Sequence, residues 1–117
     1  MHALFLVLND TYLIDDVHEI LSKCEVGGTF FNSTGLGKVE MNYDNSDSHT
    51  FTSVRKMLAG DKPKNITVMS IIKSEDKLDE VTIEIMKLLD NIEEKGVGFM
   101  FVLPVSYIYG YKGKDLK

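Results

Sequence analysis

The chain has 117 residues, 44% hydrophobic and 26% charged, which is enough for one hydrophobic core and too little for two. Thirteen lysines and arginines against eighteen acids, a net charge of −5, leave no clustered basic surface of the kind a nucleic-acid backbone requires. A single cysteine, Cys24, excludes an internal disulfide and every paired-thiol metal or redox motif.

Residues 3–8 form a continuous apolar run, the pattern of a strand central in its sheet. The run lacks a basic stretch before it and is too short for a signal or a membrane span. The chain is therefore expected to be cytoplasmic and not membrane-embedded. Asn9, Asp10 and Thr11 offer a turn and a helix N-cap. Leu13, Val17, Ile20, Leu21 and Cys24 then recur at helical spacing, with Asp15, Asp16, His18 and Glu19 on the opposite side. Gly27 and Gly28 are the expected stop of this helix.

Residues 29–33 (Thr-Phe-Phe-Asn-Ser) are β-prone and run into Gly35-Leu36-Gly37. From Lys38 to Lys64 periodicity is lost, and residues 42–49 are a run of turn formers with too little apolar area to order themselves. Phe51, Val54, Met57 and Leu58 could form one weak helical turn inside this stretch. A loop of this length, about 38–64, is uncommon in a compact domain and usually functional. Its five basic and four acidic residues nearly cancel.

Residues 66–72 read as a second apolar strand, and Ser74 as the N-cap of the strongest helix. That helix carries the stripe Leu78, Val81, Ile85, Leu88, Leu89 and Ile92, with Lys95-Gly96 as its expected end. Residues 74–95 hold eight acids against three lysines and so account for the whole charge imbalance. Residues 97–105 are the last apolar strand, followed by a tyrosine-rich tail over about 106–117. The order β-α-β, long loop, β-α-β predicts a single α+β domain spanning 1–117: a ferredoxin-like βαββαβ plait with a four-stranded antiparallel sheet and both helices on one face. Its other face would remain apolar, with Val7, Phe31, Met69 and either Met100 or Phe101 on it, and self-association is the simplest cover.

Several plait functions fail on residue type. The strand over 66–72 has no aromatic for base stacking. The only arginine, Arg55, sits in the loop rather than near the first helix, so an acyl-phosphate cradle is missing. Asp44, Asp47 and His49 match no specific metal loop and read more simply as solvated turn residues. No nucleophile, base and orienting group fall together, so catalysis is not expected. Gly35-Leu36-Gly37 and Gly96-Val97-Gly98 are either two ordinary turns or two places where backbone N–H groups approach a phosphate.

The chain resembles the PII-like signalling proteins of the nitrogen regulatory protein P-II superfamily over nearly its whole length. The resemblance rests on Ile14-Asp15-Asp16-Val17 opening the first helix and on Gly27-Gly28-Thr29 before a short strand. It continues through Gly35-Leu36-Gly37-Lys38 before the long loop, Pro63-Lys64 closing it, and the glycine turn before the last strand. It implies a homotrimer with its sheets facing one another, binding an adenine nucleotide in clefts between subunits. By similarity, Thr29, Gly35, Leu36, Gly37 and Lys38 would hold base and ribose, Gly96, Val97 and Gly98 the phosphates, and Lys112 would add a cation. The mobile loop would dock onto a target transporter or metabolic enzyme in signal transduction.

Four positions depart from the pattern. Phe99 stands where tight ATP binders have a lysine, and Gly110 replaces one of a basic pair. Phe51 replaces the modifiable loop tyrosine, and Val39 the glutamine associated with 2-oxoglutarate and magnesium. Each lost charge-assisted contact is worth about 1.5–3 kcal/mol. ATP, ADP, AMP and a cyclic dinucleotide all stand as candidate ligands, with the triphosphate the least favoured. A structural or divalent-metal-responsive trimer of the same architecture is the alternative.

Overall fold

The computed structural model describes residues 1–9, 11–35, 65–90 and 97–111. Its elements follow in the order β1 (His2–Leu8), a 3₁₀ turn (Thr11–Leu13), α1 (Ile14–Lys23), β2 (Thr29–Ser33), β3 (Asn65–Ile72), α2 (Glu75–Asp90) and β4 (Gly98–Pro104). The four strands form one antiparallel sheet in the order β2-β3-β1-β4. This is the expected plait, with β1 and β3 in the centre. The weak helical turn anticipated around Phe51 to Leu58, the helix end at Lys95-Gly96 and the whole loop over 38–64 lie outside the described residues.

Burial explains why only one face holds the helices. Leu4, Leu6 and Leu8 of β1 are fully buried, and so are Val68 and Ile72 of β3. They pack with Val17, Leu21 and Cys24 of the first helical unit and with Val81 and Ile85 of α2 in a single cluster. Burying each of these side chains contributes about 1.5–3 kcal/mol. The register sets the alternate residues on the other face. Phe5 pairs with Met69 on one side and Phe101 on the other, and Phe31 pairs with Thr67. Phe101, not Met100, therefore lies on the open face beside Val7, Phe31 and Met69. Met100 pairs with Leu6 and packs against the core.

The open face is apolar and largely uncovered towards β4. Phe31, Phe99, Phe101 and Leu103 keep 43, 58, 42 and 48% of their surface exposed. Phe5 and Phe101 stack at 5.1 Å between ring centroids, and Phe99 lies 6.2 Å from Phe101. The aromatic ladder is stabilised within one chain but presents its outer side to whatever comes next.

The helix ends differ from expectation at α1 and agree at α2. Instead of an N-cap at Asn9-Asp10-Thr11, α1 is entered through the 3₁₀ turn, with Leu13 at the cap and no side-chain cap bond. Its end lies before the two glycines. Glu25 adopts a left-handed conformation (φ 63°), its N–H bonds to Ser22 O, and the Val26 N–H bonds to Leu21 O. This is a Schellman closure, and the half-buried Val26 packing on the core holds it in place. Gly27 does a different job: its carbonyl accepts the hydroxyl of Ser70, a fully buried polar group of the helix-facing row. At α2, the Ser74 hydroxyl accepts the Lys77 N–H at 3.0 Å, the N-cap that the residue type implies.

Cys24 is a core residue, 1% exposed. Burial, reinforced by its hydrogen bond to Glu80, pushes the thiol from 9.0 up to about 11. The same bond, with desolvation opposing it and Lys77 helping, holds the Glu80 carboxyl below its usual range.

Ser74→Ala is expected to lower stability by about 1 kcal/mol, seen as a lower urea midpoint. Glu25→Gly should act in the opposite direction. Relief of the left-handed strain, about 1–2 kcal/mol, exceeds the extra chain entropy of glycine, leaving a gain of about 0.5–1 kcal/mol. For Cys24, the native state keeps a proton that the unfolded chain releases above pH 9. The stability this confers is full below pH 9 and disappears as pH rises towards 11, a loss on the order of 2–3 kcal/mol. Urea melts at pH 8.5 and 11 should show a steeper loss for the native chain than for Cys24→Ala; equal losses would contradict it.

Candidate functional site

The sheet brings four strand ends together. Leu8, at the end of β1, pairs with Ile66 and Gly98, and Ser33, at the end of β2, pairs with Asn65. The end of β2, the start of β3, the end of β1 and the start of β4 therefore line one rim. The described glycines of the two runs singled out in the sequence sit on this rim, Gly35 beyond β2 and Gly98 at the start of β4. They are at opposite edges of the sheet, three strand spacings or about 14 Å apart.

A polar ladder spans the rim. The Ser33 hydroxyl donates to Asn65 Oδ1 and accepts from the Thr67 hydroxyl at 2.8 Å. Asn65 Nδ2 donates to Asn9 Oδ1 at 3.1 Å, and the Asn9 backbone N–H donates to Val97 O at 2.7 Å. Asn65 and Thr67 are buried, so each of these bonds replaces one to water that would be lost. A Cβ on Gly35 would stand 3.6 Å from Asn65 Nδ2, an ordinary contact, so the fold accepts a side chain there. At Gly98 a Cβ would lie 2.7 Å from the Val7 carbonyl oxygen. Glycine at 98 is therefore already required by the close approach of β4 to β1.

Of the residues assigned by resemblance, Thr29, Gly35, Val97 and Gly98 are described, while Leu36, Gly37, Lys38, Gly96 and Lys112 lie outside the described residues. Val97 is buried in the core cluster, so it offers backbone rather than side chain. Thr29 is exposed at the far end of β2, about 13 Å along the strand from Ser33. The fold thus does not bring Thr29 together with Gly35 within one chain. Phe99, where the resemblance would put a lysine, belongs to the aromatic ladder of the open face.

Beside the start of β4, a groove of about 360 Å³ runs between strand and helix, lined by Met86, Leu89, Asp90, Val97, Gly98, Phe99 and Met100. Among the described residues its walls are mainly apolar, and Asp90 is their only charged side chain. An anion there would need a cation from outside this described lining. Lys77 lies instead at the opposite end of the molecule, bridged to Glu25 and Glu80 at 3.9 and 3.5 Å, and Lys23 lies 3.8 Å from Glu84. Among the described residues no three His, Cys, Asp or Glu side chains come together in a metal-binding group; Asp44, Asp47 and His49 fall outside them. No described helix is long and apolar enough to cross a membrane.

The ladder of Asn9, Ser33, Asn65 and Thr67 was not singled out by sequence reasoning. Its available signal is modest: three of the strands meet the rim on a small polar residue, namely Asn9, Ser33 and Asn65.

No family model matches the sequence, and no curated protein matches it. Solved structures do match in fold. One is a CPII protein from Thiomonas intermedia K12, bound to ADP, AMP and acetate, with a TM-score of 0.53 and 14% identity. The match covers 86% of this chain and 81% of that one. At this identity the likeness is one of architecture: the chain has a PII-like ferredoxin-type fold.

Proposed function

We propose that the protein is a PII-like regulator that assembles as a trimer and senses an adenine nucleotide in clefts between its subunits. The observation that carries this reading is the arrangement of Gly35 and Gly98 at one rim but on opposite sheet edges. One chain cannot close both on a single small ligand across about 14 Å of sheet. Copies packed through the exposed apolar face would set the β2 edge of one beside the β4 edge of the next. The fold shared with a protein that holds ADP and AMP points to the same class of ligand. In this assembly Thr29 belongs to a different cleft, or a different side of the cleft, from the Gly35 of its own chain.

The ligand would bind chiefly through base and ribose. Asp90 on the groove disfavours a highly charged phosphate chain, and Phe99 replaces the lysine that would neutralise it. AMP and ADP are therefore the favoured nucleotides, with ATP weaker. The loop over 38–64 follows directly from the Gly35 side of the site, and occupancy would be reported to a target transporter or enzyme through it.

Thermal-shift titration with AMP, ADP, ATP and cyclic di-AMP tests the reading. At a hundred times Kd, binding adds about 2.7 kcal/mol and raises Tm by several degrees. Gly35→Leu should abolish the shift while leaving the unliganded Tm within a few degrees, because a Cβ fits at 35. Gly98→Ala should lower the unliganded Tm through its clash with β1, by about 1–3 kcal/mol of stability. Absence of any response to all four compounds would leave the fold without a nucleotide role.

A further inference from the structure

We propose that residues 105–109 of one copy add as a strand to the outer edge of β4 in a second copy of this chain. This rests on the association of copies proposed above, but not on its ligand.

Two unpartnered features carry it. The first is the edge itself. β4 is seven residues long, has no charged side chain, and pairs only with β1 among the described residues. Natural edge strands of this length are normally blunted by charge, bulge or cover, because an exposed row of N–H and C=O groups recruits another strand. Apart from Pro104 at its end, β4 has none of these among the described residues. The other edge, β2, is shorter at five residues and carries the exposed Asn32.

The second feature is a strand without a sheet. Residues 105–109 form neither helix nor turn, and Tyr107 and Tyr109 lie side by side at 6.5 Å, as residues two apart do on one face of an extended chain. Both are solvent-exposed, at 77 and 86%. The segment is rich in β-forming residues and uncharged, so nothing repels it from an uncharged edge. Its one backbone tie among the described residues is the Val105 N–H to Met1 O, which keeps it running on past the β1–β4 ladder. From there residues 105–109 lead about 16 Å away before the chain bends at Gly110 (φ 77°), so they cannot double back onto the β4 they have just left. A second copy can receive them.

Hydrogen exchange of the full chain at low and high protein concentration tests the pairing. The expected result is at least tenfold slower exchange of the 106–109 amides at high concentration, with the outward β4 amides slowing in step. Tyr109→Pro removes one donor at an exposed position and should abolish that protection. It should also weaken assembly about tenfold, as expected for one or two lost backbone bonds. A chain ending at residue 105 should behave like the proline variant. An assembled protein with an unprotected tail, or variants that assemble unchanged, would overturn the proposal while leaving the trimer standing. Protection independent of concentration, or slowing of β2 amides instead of β4, would overturn it too. A chain that is monomeric at every concentration would overturn both this and the assembly proposed above.

Discussion

Two helices cover one face of a four-stranded sheet, and Leu4, Leu6 and Leu8 of β1 decide which face it is. Every strand is tied to β1 directly or through β3, so its two-residue period propagates across the sheet by register. Once those leucines point inward, Phe5, Phe99, Phe101 and Phe31 must point outward. The aromatic face is thus a consequence of core packing in a chain whose strands are apolar on both sides. A strand that is hydrophobic on both faces belongs to a sheet that is covered twice, and the described residues of one chain supply only one cover.

The rim follows from the same register. Antiparallel pairing around β1 places the end of β2 and the start of β4 at one end of the sheet, and β3 and β1 hold them apart. The buried amide of Asn65 binds the β2 end on one side and Asn9 on the other, while Asn9 reaches Val97 through its backbone. The two edges are therefore fixed relative to each other with no charged group in the connection. That arrangement suits a site assembled from two chains, where each edge must be presented rigidly before its partner arrives.

Strands and amphipathic stripes were legible because they depend on period, and period survives the absence of tertiary information. β2 was readable to the residue, and Ser74 as the cap of α2 needed only a hydroxyl before a helical stripe. The ends of α1 were not readable. Asn9 and Gly27 are good local candidates for cap and stop, but each is used elsewhere, Asn9 in the rim and Gly27 by the Ser70 hydroxyl. Packing of Val26 then closes the helix at Glu25, against the usual preference for glycine there. The rim ladder was hidden for another reason: its partners lie 32 and 56 residues apart, and single polar residues at strand ends are too common to stand out. The resemblance names Thr29 and Gly35 for one ligand without saying which chains they come from, and the extended geometry of β2 sets them at opposite ends of the strand within one chain.

The bonds just beyond the two ends of β4 have a kinetic meaning. An edge strand normally frays from its tips, opening and reclosing far more often than the core beneath it. Here the Asn9 N–H to Val97 O bond closes one end of the β1–β4 pair, and the Val105 N–H to Met1 O bond closes the other. Any peeling of β4 must first break one of these latches, which sit one residue outside the paired strand. Fraying of the β1–β4 pair therefore starts one residue outside β4 at each end, and the strand itself stays engaged along its whole length until a latch has opened.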